Sequence, residues 1–329
     1  MRKSIYTIFE FICHGLIYFS CVFKSPRICS FFIRLSILKQ KFFLNNFQNK
    51  KIIIVLDRSI GHREVEIIQN FANKSFKFVF LRRSITKLIL FYFCNKKNLF
   101  FNYLKPKISR NDYFNQNKIQ KKNHEEFWSL VIYYMKNYFK TSTINFVTFN
   151  FSYYAEESLY VGCKKNNIPV KLWYKEGIKT KLEAEYDVKN SKFKHMFKYF
   201  YKISVYNNLV KKMLISMDNL NKKKILVNGC PRVYDYIKKK KEYKKVKNLL
   251  FLSFDSKRGI PKYDKNKKLN WNLSYDKVID ILNELVDCKD LNIVIKRKSE
   301  STFKTSKQIS NRIKIFEREP IVVLQNKKE

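Results

Sequence analysis

The chain has 329 residues, 45% of them apolar, with 68 Lys and Arg against 27 Asp and Glu, a formal charge of +41. That length and apolar share allow two domains with buried cores, and the absence of long polar low-complexity runs argues against general disorder. The basic surplus suggests nucleic acid at first sight, but it is nearly all Lys and comes with abundant Phe, Ile, Asn and Tyr, which share A/T-rich codons; coding bias accounts for it, and nucleic acid is set aside as a partner.

Residues 5–23 (IYTIFEFICHGLIYFSCVF) follow Arg2 and Lys3 and are strongly apolar. Glu10 and His14 interrupt the run, and the clean stretch from Phe11 to Phe23 is short for a bilayer. No convincing cleavage site follows. A second apolar stretch, SFFIRLSIL, is flanked by Arg27, Arg34 and Lys39. Three readings of residues 1–45 stay open. A helix pair could lie in the membrane interface, with aromatics as anchors and cations on the headgroups. It could instead pack against the first domain, or span a membrane.

Residues 46–240 read as a first domain of alternating strands and helices. KIIIVLD (51–57) is a continuous β-branched run, as in a buried parallel strand. A helix at 62–74, a strand at 76–82 and a helix at 84–94 follow. Residues 95–121, rich in Asn and Lys and holding Pro106, read as a loop or an irregular insertion. A helix at 124–139 begins with acidic residues, where its dipole favours them. Next come a strand at 144–150, a helix at 152–167 capped by Ser152 and a strand at 168–175, ended by a turn at Glu176 and Gly177. A strand at 202–207, a helix at 208–217 and a strand at 223–229 complete the unit. The Lys-rich run 237–248 reads as a linker. Residues 241–329 begin a new alternation, with strands at 248–254, 291–298 and 320–325 and helices at 274–287 and near 304–312. Such alternation implies parallel sheets with helices on both faces. Three strands fall short of the five or six of an open doubly wound domain, so this second domain reads as truncated.

Seven cysteines without a C-x-x-C pair form neither a disulfide framework nor a zinc ribbon. Reduced thiols suit a cytosolic setting. Four scattered histidines speak against a His-based metal site. Neither a metal nor a cofactor is expected.

The stretches ISVYNNLVKKMLISM and KKKILVNGCPRVYDYI carry a strand, a helix, and a strand ending in Gly229, Cys230, Pro231 and Arg232, with Asp235 beyond. With the earlier YKEGIK (174–179), this order resembles bacterial surface-carbohydrate and capsule biosynthesis proteins of the two-Rossmann, GT-B-like glycosyltransferase type. Relatives of that type include CDP-glycerol glycerophosphotransferase-like enzymes. The resemblance covers residues 144–298. It implies an α/β fold of two Rossmann-like domains with parallel sheets. It also implies transfer of a sugar or glycerophosphate from a CDP- or UDP-linked donor to a polysaccharide or lipid-linked acceptor. Such a protein would be cytoplasmic or peripheral on the inner face of the cytoplasmic membrane. The family's later donor-binding features, a Ser/Thr-rich turn and a Glu-bearing helix, do not appear here, which makes an inactive or truncated remnant the alternative reading.

Ligands of open α/β sheets bind at the carboxyl ends of strands. That rule selects Lys175, Glu176 and Gly177; Gly229, Pro231 and Arg232; Ser253, Asp255, Ser256 and Lys257; and Lys296, Arg297 and Lys298. Glu176, or His62 in the turn SIGHRE, is the candidate general base for an acceptor hydroxyl. Arg232, Ser253, Lys257, Lys296 and Arg297 are candidates for the donor phosphates. Gly177, Gly229 and Pro231 would shape turns, with Gly229 allowing close backbone approach. Plainer readings stand beside these: solvated strand-end charges, a turn ion pair, a helix-start histidine. A basic module binding RNA or anionic lipid is a further alternative. For RNA, clustered Arg and stacking aromatics are expected on one sheet face, and neither is visible.

Overall fold

A computed structural model of the chain describes residues 2–38, 51–57, 76–94, 108–139, 143–175, 179, 181–218, 220–229, 248–252, 271–288, 291–297 and 307–317. The chain divides into two compact units, Met1–Asp235 and Tyr236–Glu329.

The first unit opens with a helix hairpin, α1 (Arg2–Val22) and α2 (Pro26–Leu38). Lys24 turns the chain with a left-handed φ of 48°, and Pro26 stands at the first helical position, where its missing N–H costs nothing. Ile17 and Cys21 of α1 and Cys29, Ile33 and Ile37 of α2 are buried in the unit's main core. His14 Nε2 lies 2.9 Å from Ser84 Oγ, tying α1 to the body of the unit. Of the three readings of this segment, packing against the first domain is the arrangement observed. No described helix is long and apolar enough to cross a membrane.

Six parallel strands follow: β1 (Lys51–Asp57), β2 (Phe76–Arg82), β3 (Ile144–Thr148), β4 (Val170–Trp173), β5 (Phe200–Val205) and β6 (Ile225–Val227). Their order is β2-β1-β3-β4-β5-β6. Side chains alternate between the faces of a strand. Accordingly Ile52, Ile54 and Leu56 enter the main core, while Ile53 and Val55 join Phe78, Phe80, Val147 and Phe149 on the other face. Burial on both faces is why β1 reads as an unbroken apolar run.

Between the strands lie α3 (Arg83–Phe93), α4 (Arg110–Phe114), α5 (Lys118–Tyr138), α6 (Glu157–Lys165), α7 (Lys181–Asn190) and α8 (Asn208–Asp218). The expected loop at 95–121 is corrected in its later part, which holds α4 and the first turn of α5. Both helices start with reciprocal capping boxes, Ser109 with Asp112 and Asn117 with Gln120. Ser152 is not the cap of the next helix. It donates its hydroxyl to Asn150 at 2.9 Å, and a 3₁₀ turn, Tyr154–Glu156, precedes α6. The helix α7 and a 3₁₀ segment, Lys194–Tyr199, were not anticipated; α7 has few apolar positions and buries only Ala184 among its described side chains.

The second unit contains a parallel sheet of β7 (Asn248–Leu252), β8 (Asn292–Arg297) and β9 (Lys314–Glu317), in that order, and a helix α9 (Trp271–Cys288). Its own core joins Ile279, Leu282 and Val286 of α9 to Ile293, Ile295 and Ile313. The expected helix near 304–312 is absent from the described part, 307–312. Asn283 of α9 accounts for this. Its amide donates to the Gln308 carbonyl at 2.9 Å and accepts from the Ser310 N–H at 3.0 Å, satisfying the backbone outside a helix. The sheet's third strand is β9; the stretch 320–325 lies outside the described residues. The fold is thus α/β, with a six-stranded parallel sheet and a second, smaller parallel sheet.

Candidate functional site

The chain passes from β1 to β2 on one side of the sheet and then returns to β3 on the other side of β1. In open α/β sheets the crevice at the carboxyl ends of strands flanking such a reversal receives the ligand. Two described segments border it: the start of α3, which follows β2, and the exit from β3, which runs from Phe149 to the start of α6.

A buried carboxylate joins them. Glu156 is 1% exposed. Its Oε2 accepts from the Thr148 hydroxyl at 3.0 Å and from the Tyr160 hydroxyl at 2.5 Å, and Arg83 Nε stands 3.9 Å from its Oε1. Burial, then the Glu156 charge and the hydrogen bond to it, push the Tyr160 phenol well above its ordinary pKa, so it remains a donor. The Arg83 guanidinium lies over the Tyr153 ring, 4.1 Å from its centroid, and 6.0 Å from that of Tyr154.

Glu157 turns the other way. Its Oε1 lies 3.2 Å from His195 Nε2 and 3.5 Å from Lys121 Nζ, and accepts from Tyr199 at 3.4 Å. Burial raises the pKa of Tyr199, and the Glu157 charge raises it further. Both acids stand at the start of α6, where the helix dipole favours negative charge.

A third group could be mistaken for catalytic machinery. Ser158 Oγ lies 2.9 Å from His124 Nδ1, and Trp128 Nε1 donates to His124 Nε2 at 3.1 Å. Indole nitrogen can only donate, so Nε2 is the acceptor and Nδ1 carries the proton toward Ser158. A serine that receives a proton from its histidine is not being activated as a nucleophile. Burial, with Lys121 adding to it, lowers the His124 pKa to about 3. This group is a neutral, buried strut between α5 and α6.

The residues proposed from sequence are mostly elsewhere. Glu176, His62, Arg232, Ser253, Lys257, Gly177 and Pro231 lie outside the described residues, as do Asp255, Ser256 and Lys298. Gly229 follows β6 with φ of 73°, and a Cβ built there would meet nothing within 4 Å. The backbone conformation, not close packing within the chain, is what calls for glycine. Lys296 pairs in register with Leu252 and Phe316 and is only 8% exposed, so it is not a fully solvated strand-end charge. Arg297 ends β8 beside it. Among the described residues no group of His, Cys, Asp and Glu is suited to hold a metal ion, and no disulfide forms.

Sequence reasoning missed Arg83, Thr148, Glu156 and Tyr160. One signal was available: two consecutive acids in a strongly basic chain, just after an apolar strand.

No protein-family model matches the chain, and no curated protein matches it. Among solved structures it is similar to UDP-GlcNAc 2-epimerase from Neisseria meningitidis bound to UDP-GlcNAc. The identity is 13% and the TM-score 0.43, over 85% of this chain and 76% of that one. Likeness at this level assigns no residue role and no substrate here.

Proposed function

We propose that the chain is an enzyme of envelope or capsular polysaccharide assembly that uses a nucleotide-activated donor. It would transfer a sugar or glycerophosphate from a CDP- or UDP-linked donor to a polysaccharide or lipid-linked acceptor. The observation that carries this reading is the strand reversal between β1 and β3, bordered by polar side chains, in a unit followed by a second parallel sheet. The Lys-Glu-Gly and Gly-Cys-Pro-Arg segments support it through their order along the chain. In this reading Glu176 or His62 takes the acceptor proton. Arg232, Ser253, Lys257, Lys296 and Arg297 balance the charge of the departing phosphates. Calorimetric titration with CDP- and UDP-linked donors tests it. Binding that weakens about tenfold in Lys296→Met, the loss of one charge-assisted contact, is the expected result. Heat-silent titrations with every donor of both nucleotide classes would end the proposal.

A further inference from the structure

The α1–α2 hairpin has two unlike sides. One is the stripe from Ile17 to Ile37 in the core of the first unit. The other, at the hairpin tip, exposes Val22 and Phe23 at the end of α1 and Ile28 and Phe31 on α2. Phe23 is 75% exposed and Ile28 49%, unusual values for large apolar residues only five positions apart. Lys24 and Arg27 stand between them and are exposed too. From Phe11 to Leu56 the sequence has seven Lys and Arg and no Asp or Glu.

We propose that this tip docks on the surface of an anionic lipid bilayer, whatever chemistry the rest of the chain carries. Phe23, Ile28 and their neighbours would enter the boundary between headgroups and acyl chains, while Lys24 and Arg27 pair with lipid phosphates. Charge selects this occupant over a second copy of the chain. Two such tips face to face would bring four cations together, and residues 11–56 of neither copy supply a carboxylate to offset them. Insertion is shallow, because the inner stripe of α1 is committed to the protein core.

Sedimentation of the full chain with phosphatidylcholine vesicles, with and without phosphatidylglycerol, tests the proposal. The chain is expected on the anionic vesicles and off the neutral ones. Phe23→Ser with Ile28→Ser leaves the net charge unchanged and should weaken partition about tenfold or more. Lys24→Gln with Arg27→Gln should weaken it about fivefold per cation. Leu182→Ser with Tyr201→Ser, at exposed apolar sites elsewhere in the first unit, should bind as the parent does. All these sites are exposed, and circular dichroism checks that each variant folds. If the tip variants bind anionic vesicles as tightly as the parent, the diffuse charge of the chain is responsible and the proposal fails. It fails equally if the parent is a dimer that Phe23→Ser with Ile28→Ser dissociates without change in vesicle binding.

Discussion

Thr148 and Tyr160 both point a hydroxyl at one oxygen of Glu156, in a place that water does not reach. Removing one donor leaves part of a buried carboxylate's demand unmet, a loss larger than the net worth of an ordinary hydrogen bond. Tyr160→Phe is therefore expected to cost about 1–3 kcal/mol in urea unfolding, and an unchanged midpoint would show the contact to be idle. His124 makes a pH prediction. Its folded pKa of about 3 lies below the ordinary 6.5. As pH falls below 6.5 the unfolded chain takes up a proton that the folded chain refuses, so stability is lost between about pH 6.5 and 3. The slope between pH 6 and 5 should approach about 1.4 kcal/mol per pH unit. His124→Asn should flatten that part of the profile, and an identical slope in both proteins would refute the assignment. Beyond the two consecutive acids Glu156 and Glu157, neither group was legible in the sequence. Arg83 and Glu156, like His124 and Ser158, meet only because strands and helices far apart in the chain become neighbours, and composition shows no trace of such a meeting.

Helix α6 sits tightly on α5, and Gly162 is the reason. A Cβ there would lie 2.9 Å from the backbone carbon and oxygen of Trp128 and 3.0 Å from the Ser129 nitrogen. Alanine is worth about 1 kcal/mol more than glycine within a helix. The obstacle here is backbone, however, and overpacking of this kind costs about 1–3 kcal/mol. Gly162→Ala should therefore lower the denaturation midpoint with the m-value unchanged; a more stable variant would show that the two helices separate easily. A cap gives the opposite case, a purely local one. Asn117→Ala removes an N–H acceptor from the first turn of α5 and should cost about 1 kcal/mol. The expected loop at 95–121 hid this cap. Asn-x-x-Gln and Ser-x-x-Asp are capping patterns in plain view, but abundant Asn and Lys made them look like loop composition. The strands were easier. An apolar β-branched run such as β1 has few alternatives, whereas the helix expected near 304–312 failed because a side chain of α9 satisfied that backbone instead.

At the scale of the molecule, strand–helix alternation was enough to read two parallel sheets, because each strand of a buried sheet must be apolar on both faces and each crossover needs a helix. Strand order was not readable, since it depends on which side each crossover takes. The reversal between β1 and β3, and hence the location of the candidate site, therefore came only from the structure. Separate cores carry a final prediction. The described apolar side chains of the first unit close on themselves, from Ile17 to Ile225, and those of the second close around α9 and β8. A unit with its own core can fold alone. Residues 1–235 expressed by themselves should give a single cooperative urea transition with intact near-ultraviolet dichroism. The full chain should show a second transition at lower urea, because the smaller unit buries a smaller fraction of its surface. If the fragment instead loses its near-ultraviolet signal while keeping helix and strand content, the first core depends on residues beyond 235, and the two units must be treated as one cooperative body.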